Sequence, residues 1–175
     1  MAALSTSYYL SPDVVGLACD LLGKALCLAA PDGSVLRRTI IETEAYCGAE
    51  DRASHAYNNR RTARTEVMFH EGGVAYVYLC YGIHHLLNVV TGPAETPHAV
   101  LIRSVEGVIG PGRLAVHYGI TRADSGLSLQ GPRLWIEECV AIAPTAIVAT
   151  PRIGVDYAGP DAAKPWRFCL KERSR

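Results

Sequence analysis

The sequence predicts an α+β fold built on a largely antiparallel sheet. Strand-like apolar runs outnumber helix-like ones along the chain. Most of these runs follow one another directly across short links rich in glycine, proline and aspartate, as hairpins do and βαβ units do not. Helical 3.6-residue periodicity is confined to a few segments. At 175 residues, with 49% hydrophobic and 19% charged side chains, residues 1–175 form one domain by default, with length to spare for a single core.

The elements follow in order. "SPDVVGLACDLLGK" (11–24) reads as a helix. Ser11 can cap it, Pro12 suits its first turn, Val14, Val15, Ala18, Leu21 and Leu22 form the apolar stripe, and Gly23 can end it. "KALCLAA", "PDG" and "SVLRRTIIETEAY" read as strand, turn and strand. A loop with glycine, acids and arginines follows Tyr46, with a short helix expected around Arg64 to Phe69. Gly72-Gly73 breaks the chain before the strand "VAYVYLC", where a period of two puts Tyr76 and Tyr78 on one face. Tyr81-Gly82 reads as a tight turn into the returning strand "IHHLLNVV", and "PHAVLIRSVE" is a further strand. "GPGRLAVHYGI" suits a helix opened by Gly110-Pro111 and stopped by Gly119. Apolar runs at 132–138, 145–149 and 166–170 are expected to be strands.

Composition narrows the function. No apolar run is long enough for a membrane span, and the N-terminus lacks the charged and apolar regions of a signal peptide, so a cytoplasmic protein without a membrane partner is expected. The six cysteines form no C-x-x-C pair, which predicts buried reduced thiols and no zinc site. Lysine plus arginine balance aspartate plus glutamate at 17 each, which by itself does not suggest a nucleic-acid binder. Arg60, Arg61 and Arg64 cluster, and Lys164, Arg167, Lys171, Arg173 and Arg175 crowd the C-terminus; by charge alone both groups read as solvated surface. Nothing suggests an oligomer, a metal or a cofactor.

The chemistry concentrates in "IIETEAYCGAEDRASHAY" (40–57). Glu42, Glu44 and Tyr46 alternate, so a strand points all three to one face, although carboxylates are depleted from strands. A carboxylate held near a water is a general base, and His55 can order that water. Tyr46, Tyr76, Tyr78 and Tyr81 supply flat aromatic surface. One base among aromatics describes a pocket for a planar ligand, either a nucleobase or an aromatic metabolite. Which of the two acids is the base is open on spacing alone.

"IIETEAYCGAEDRASHA" followed by "VMFHEGGVAYVYLCYGIHHLLNVV", and then "AVLIRSVE", "GPGRLAVHYGI", "PRIGV" and "KPWRF", resembles the alkyladenine (3-methyladenine) DNA glycosylases of the mammalian type. The resemblance spans most of the chain in the family's order. It implies a compact domain with a curved antiparallel sheet and surrounding helices. It also implies hydrolysis of the N-glycosidic bond of damaged purines in duplex DNA, without a cofactor. By resemblance Glu44 is the general base, His55 helps hold the water, and Arg103 lies beside it. Tyr46, His55 and Tyr78 sandwich the flipped base, Tyr81 fills its vacated place, and Asn88 crowds the exocyclic amine of guanine. Glu42 has no catalytic counterpart. With duplex DNA as partner, Arg60, Arg61, Arg64 and Arg113 become candidates for phosphate contact. Two departures stand out. The link between Glu106 and Gly110 is short, and the turn continues Ile83-His84-His85 where vertebrate members have methionine and tyrosine.

Overall fold

The computed structural model describes residues 2–139 and 141–171. The N-terminal part contributes two short helices, α1 (Thr6–Tyr9) and α2 (Val14–Asp20). Eight strands follow: β1 (Ala25–Ala29), β2 (Val35–Tyr46), β3 (Ala75–Cys80), β4 (His84–Thr91), β5 (His98–Val105), β6 (Leu134–Glu137), β7 (Ile147–Thr150) and β8 (Arg167–Leu170). Helix α3 (Pro111–Tyr118) lies between β5 and β6. The strands form one antiparallel sheet in the order β3-β4-β5-β2-β1-β6, with β8 on β2 and β7 on β8. This is the predicted α+β class.

β2 is the spine. Its first half pairs with β1 from Val35 to Thr39, and its second half pairs with β5 on one edge and β8 on the other. The register slips around Glu42, between Ile40 and Thr43, so a bulge sits where β2 changes partners. Bulges bend a strand and re-aim its side chains.

Beyond the bulge the alternation is clean. One face turns Ala45, Val77, Leu87, Val89, Val100 and Ile102 into the main core with α2 and α3. There Thr43 Oγ1 donates to Ala18 O of α2 at 2.6 Å. The opposite face carries a row across four strands, since Glu44 stands opposite Leu101, Leu101 opposite Asn88, and Asn88 opposite Tyr76. Directly paired residues of an antiparallel sheet share a face, so Glu44, Asn88 and Tyr76 point the same way.

Local chemistry explains most boundaries. Gly119 ends α3 in the left-handed conformation, as its position predicted. The expected helix near Arg64 is a 3₁₀ turn, Glu66–Phe69. The cap of α2 is Asp13 and not Ser11: Asp13 Oδ1 accepts the Gly16 N–H at 2.8 Å, while Ser11 Oγ accepts from Asp13 N. Pro12 thus falls before the helix, and the longer carboxylate takes the capping role. All six cysteines are free, but only Cys27 is fully buried. The expected burial therefore holds fully for one, and the other five are partly buried.

Candidate active site

The polar face of the sheet floors a cleft of ≈ 780 Å³, walled by the loop after β2, the β3–β4 turn, the start of α3 and residues 153–157. Glu44, Tyr46, His55, Tyr76, Tyr78, Tyr81, Asn88 and Arg103 all line it. These residues span nearly sixty positions of sequence, and the strand register brings them together.

Glu44 lies at the bottom and is fully buried. Its Oε2 accepts the Tyr46 hydroxyl at 2.7 Å, and its Oε1 accepts the Ile153 backbone N–H at 2.8 Å. Arg103 Nη1 stands 3.4 Å from the same Oε1. Burial, with the charge of Glu44 next to it, pushes the Tyr46 phenol far above its ordinary range, so it stays protonated and donates. A carboxylate offers about four acceptor positions. One on Oε1 and one on Oε2 are taken by hydrogen bonds and the Arg103 guanidinium lies against Oε1, which leaves a lone pair of Oε2 for a further donor.

Glu42 does different work. Its Oε1 accepts from Arg103 Nε at 3.0 Å and from Arg167 Nε at 2.7 Å, and its Oε2 accepts from Ser104 Oγ at 2.6 Å. Burial opposes its charge, but the Ser104 and Arg167 hydrogen bonds and the two guanidinium charges outweigh it and hold the carboxyl below its usual range. Glu42 therefore fixes Arg103 against Glu44. The structure separates the two acids that spacing left equivalent: one is clamped among arginines and the other faces the cleft.

The aromatic wall is assembled from two elements. His55 packs edge-on against Tyr78 with ring centroids 4.5 Å apart, and its Nδ1 meets the Tyr76 hydroxyl at 2.9 Å. Burial, helped by the charges of Arg64 and Arg60, lowers the His55 pKa to about 4, so the ring is neutral at neutral pH. A neutral imidazole has one N–H and one lone pair, so Nε2 takes whichever role the Tyr76 bond leaves. Burial likewise pushes the Tyr76 phenol up to about 12. Asn88 is buried, and its Nδ2 donates to Tyr76 O at 3.1 Å, with Leu86 O at 3.5 Å. This is the local backbone pairing that asparagine favours, and it pins the side chain in the floor.

Tyr81 stands apart at the rim, 90% exposed. Tyr81 and Gly82 both have positive φ, 50° and 69°, in a turn closed by Ile83 N–H donating to Cys80 O at 3.1 Å. Two positive-φ residues match the type I′ hairpin turn, but a bulky side chain in that region is strained. The turn geometry projects the phenol out from the surface.

The four arginines differ. Arg64 and Arg113 are exposed and line the cleft. Arg60 is exposed beside them in the chain. Arg61 is committed elsewhere: it pairs with Glu66 at 2.7 Å and Glu95 at 2.6 Å, and its guanidinium lies 4.6 Å over the Phe69 ring. The C-terminal charges are also not uniformly solvated. Arg167 holds Glu42, and Lys164 pairs with Asp161 at 2.8 Å and covers Trp166. Arg173 and Arg175 lie outside the described residues.

Several supporting residues lie in the motifs that carry the resemblance, or outside them, without a role read from the sequence. Arg152 is buried and forks onto Asp51, and Ile153 supplies the amide on Glu44. Tyr157, 70% exposed at the rim, donates to Ala53 O at 3.0 Å. Among the described residues no three His, Cys, Asp or Glu side chains gather as a metal site, and no helix is long and apolar enough to cross a membrane.

Comparison with known proteins matches the family described as "Methylpurine-DNA glycosylase (MPG)" over residues 8–110 and 107–174. A protein of Chlamydia pneumoniae is 43% identical over 188 residues, covering 95% of this chain and 94% of its own. One from Anaeromyxobacter dehalogenans is 49% identical over 169 residues, covering 91% and 79%. One from Methanocella arvoryzae is 43% identical over 201 residues, covering 99% and 98%. All three bear the name "Putative 3-methyladenine DNA glycosylase". These relatives are microbial, so the mammalian-type resemblance narrows here to the family as a whole.

Proposed function

The chain belongs to the methylpurine-DNA glycosylase family, and from that premise we propose that it excises alkylated purines from duplex DNA by direct hydrolysis, leaving an abasic site. The observation that carries this reading is the buried Glu44 carboxylate at the floor of an aromatic cleft whose rim bears an exposed tyrosine.

A purine stacked in a duplex cannot reach Glu44. The nucleotide must rotate into the cleft, at a cost of a few kcal/mol. Tyr81, projecting from its turn, fills the gap and offsets the lost stacking. The base enters between Tyr46 and the His55–Tyr78 pair, and aromatic faces favour a purine made cationic by alkylation. The free lone pair of Glu44 Oε2 takes a proton from water as that water attacks C1′. The C1′–N bond breaks and its electron pair leaves with the purine. For a cationic purine this neutralises the leaving group, so no protein acid is required. Arg103, held by Glu42, and neutral His55 orient the reactants. Proton transfer of this kind contributes about 10²–10⁴-fold.

The cleft contains no lysine among the residues that line it, which supports a monofunctional enzyme without a Schiff base. A monomer is the proposed working unit. Asn88 is pinned by its amide nitrogen and cannot rotate aside, as exclusion of the guanine amine requires. A sugar glycosidase using both acids is disfavoured, because Glu42 is already enclosed by Ser104 and two arginines.

The test is a duplex carrying one 3-methyladenine or other alkylated purine, incubated with the protein and then treated with alkali. Strand scission at the lesion only after alkali is expected. Glu44→Gln is expected to lose about 10²–10⁴-fold in rate while still binding lesion DNA. Near-normal turnover of Glu44→Gln removes the mechanism. Binding without any excision by the parent protein makes it a recognition module instead.

A further inference from the structure

Behind the cleft wall lies a charged pair that the mechanism above leaves unused. Arg152 and Asp51 are both fully buried, and neither lines the cleft. Their contact is bidentate: Nη1 meets Oδ2, and Nη2 meets Oδ1 at 2.9 Å. Arg152 Nε has no hydrogen-bond partner among the described residues, but the other groups of the pair make further bonds. Arg152 Nη1 donates to Ala45 O at 2.8 Å and Nη2 to Asp161 O at 3.2 Å, while Asp51 accepts from Cys47 N at 3.1 Å and Ala53 N at 3.0 Å. The guanidinium stacks over Tyr46 at 4.8 Å and over Trp166 at 5.1 Å. A buried ion pair is poor as a stabiliser, because desolvation cancels much of its attraction. Its position here suggests another use.

The two hydrogen-bond donors on Glu44 are both tied to this one guanidinium. Tyr46, whose hydroxyl serves Oε2, rests its ring on Arg152. Ile153, whose amide serves Oε1, is the next residue in the chain. Arg152 also ties to Ala45 O, the carbonyl of the peptide that joins Ala45 to Tyr46. We propose that Asp51 and Arg152 are positioning residues for Glu44: the rigid fork sets the Tyr46 phenol and the Ile153 amide together and so aims the carboxylate at the attacking water. A lysine in place of Arg152 keeps the charge but not the planar fork or the stacking surface.

The inference rests on Glu44 being the general base, so Glu44→Gln is measured in parallel. The experiment is a double-mutant cycle in single-turnover excision of an alkylated purine. Its variants are Arg152→Lys, Tyr46→Phe and the two combined, with rates taken per active site from the reaction amplitude and lesion-DNA affinity measured separately. Arg152→Lys is expected to slow the chemical step by about 10-fold and to do so by only about 3-fold once the Tyr46 hydroxyl is gone, within the coupling of roughly 2–150-fold that contacting residues show. Affinity is expected to hold within about 3-fold, since both side chains are buried and neither residue lines the cleft. Asp51→Asn, which preserves shape, carries the same cycle if Arg152→Lys does not fold.

Additive costs overturn the proposal, because a merely structural pair has no reason to act through Tyr46. A loss confined to affinity, or no loss of rate, also overturns it. If Glu44→Gln retains turnover, it is the base assignment that has failed; if Glu44→Gln is inactive and the cycle is additive, the positioning role alone has failed.

Discussion

Replacing Tyr81 with glycine is expected to make the protein more stable and less active, and the structure sets the size of the first effect. Tyr81 has a φ of 50° and is 90% exposed, so its ring contributes little to packing while its Cβ sits in the left-handed region. That conformation costs an L-residue roughly 1–2 kcal/mol. Glycine removes the cost but adds about 0.4–1 kcal/mol of unfolded-state freedom. The net gain is about 0.5–1 kcal/mol, or an increase in Tm of roughly 1–4 °C for a chain of this length. Alanine is the control: it keeps the Cβ and the strain, so its Tm should match the parent's. Both variants lose the plug, so excision of a stably paired lesion should fall in both. Excision from a bulge or mismatch, where unstacking costs less, should fall less. The assays are thermal melts and single-turnover excision on paired and bulged duplexes. A glycine variant less stable than alanine would refute the strain assignment, and equal losses on paired and bulged substrates would refute the plug.

Three further outcomes follow from the site. Asn88→Ala should raise release of undamaged guanine relative to 3-methyladenine by about 10–200-fold, the scale of one pocket contact; a constant ratio in a folded, active variant removes Asn88 as the discriminator. His55 titrates at about 4 in the folded protein, below its unfolded value of about 6.5, so the unfolded chain binds more protons between those values. Stability should therefore fall as pH drops through that window, by at most about 1.4 kcal/mol per pH unit from this group, and His55→Gln should flatten that part of the Tm–pH curve. Salt should weaken DNA binding with a log–log slope of about −0.9 per phosphate contact. Arg64→Ala and Arg113→Ala should each reduce that slope by about one contact. Arg61→Ala should leave it unchanged, since Glu66 and Glu95 already occupy that guanidinium, and the opposite ranking would reverse the assignment.

What could be read from the sequence was what is periodic or local. A period of two put Glu44 and Tyr46 on one face and Tyr76 and Tyr78 on another, and the cleft uses both pairs. Gly82 declared its turn and Gly119 its helix end, because glycine takes positive φ without steric cost. Motif resemblance singled out Glu44 over Glu42, which alternation could not do. Tertiary structure decided everything that depends on pairing across the chain. Glu42 became the anchor of Arg103 because the bulge in β2 and the register with β5 and β8 set Arg103 and Arg167 on its carboxylate. Arg61 paired with Glu95, which lies within its reach only after folding. Asp51 and Arg152, 101 residues apart, look like ordinary loop charges until the core closes over them. Periodicity records which way a side chain points from its own strand, and it carries no information about which distant group will stand opposite.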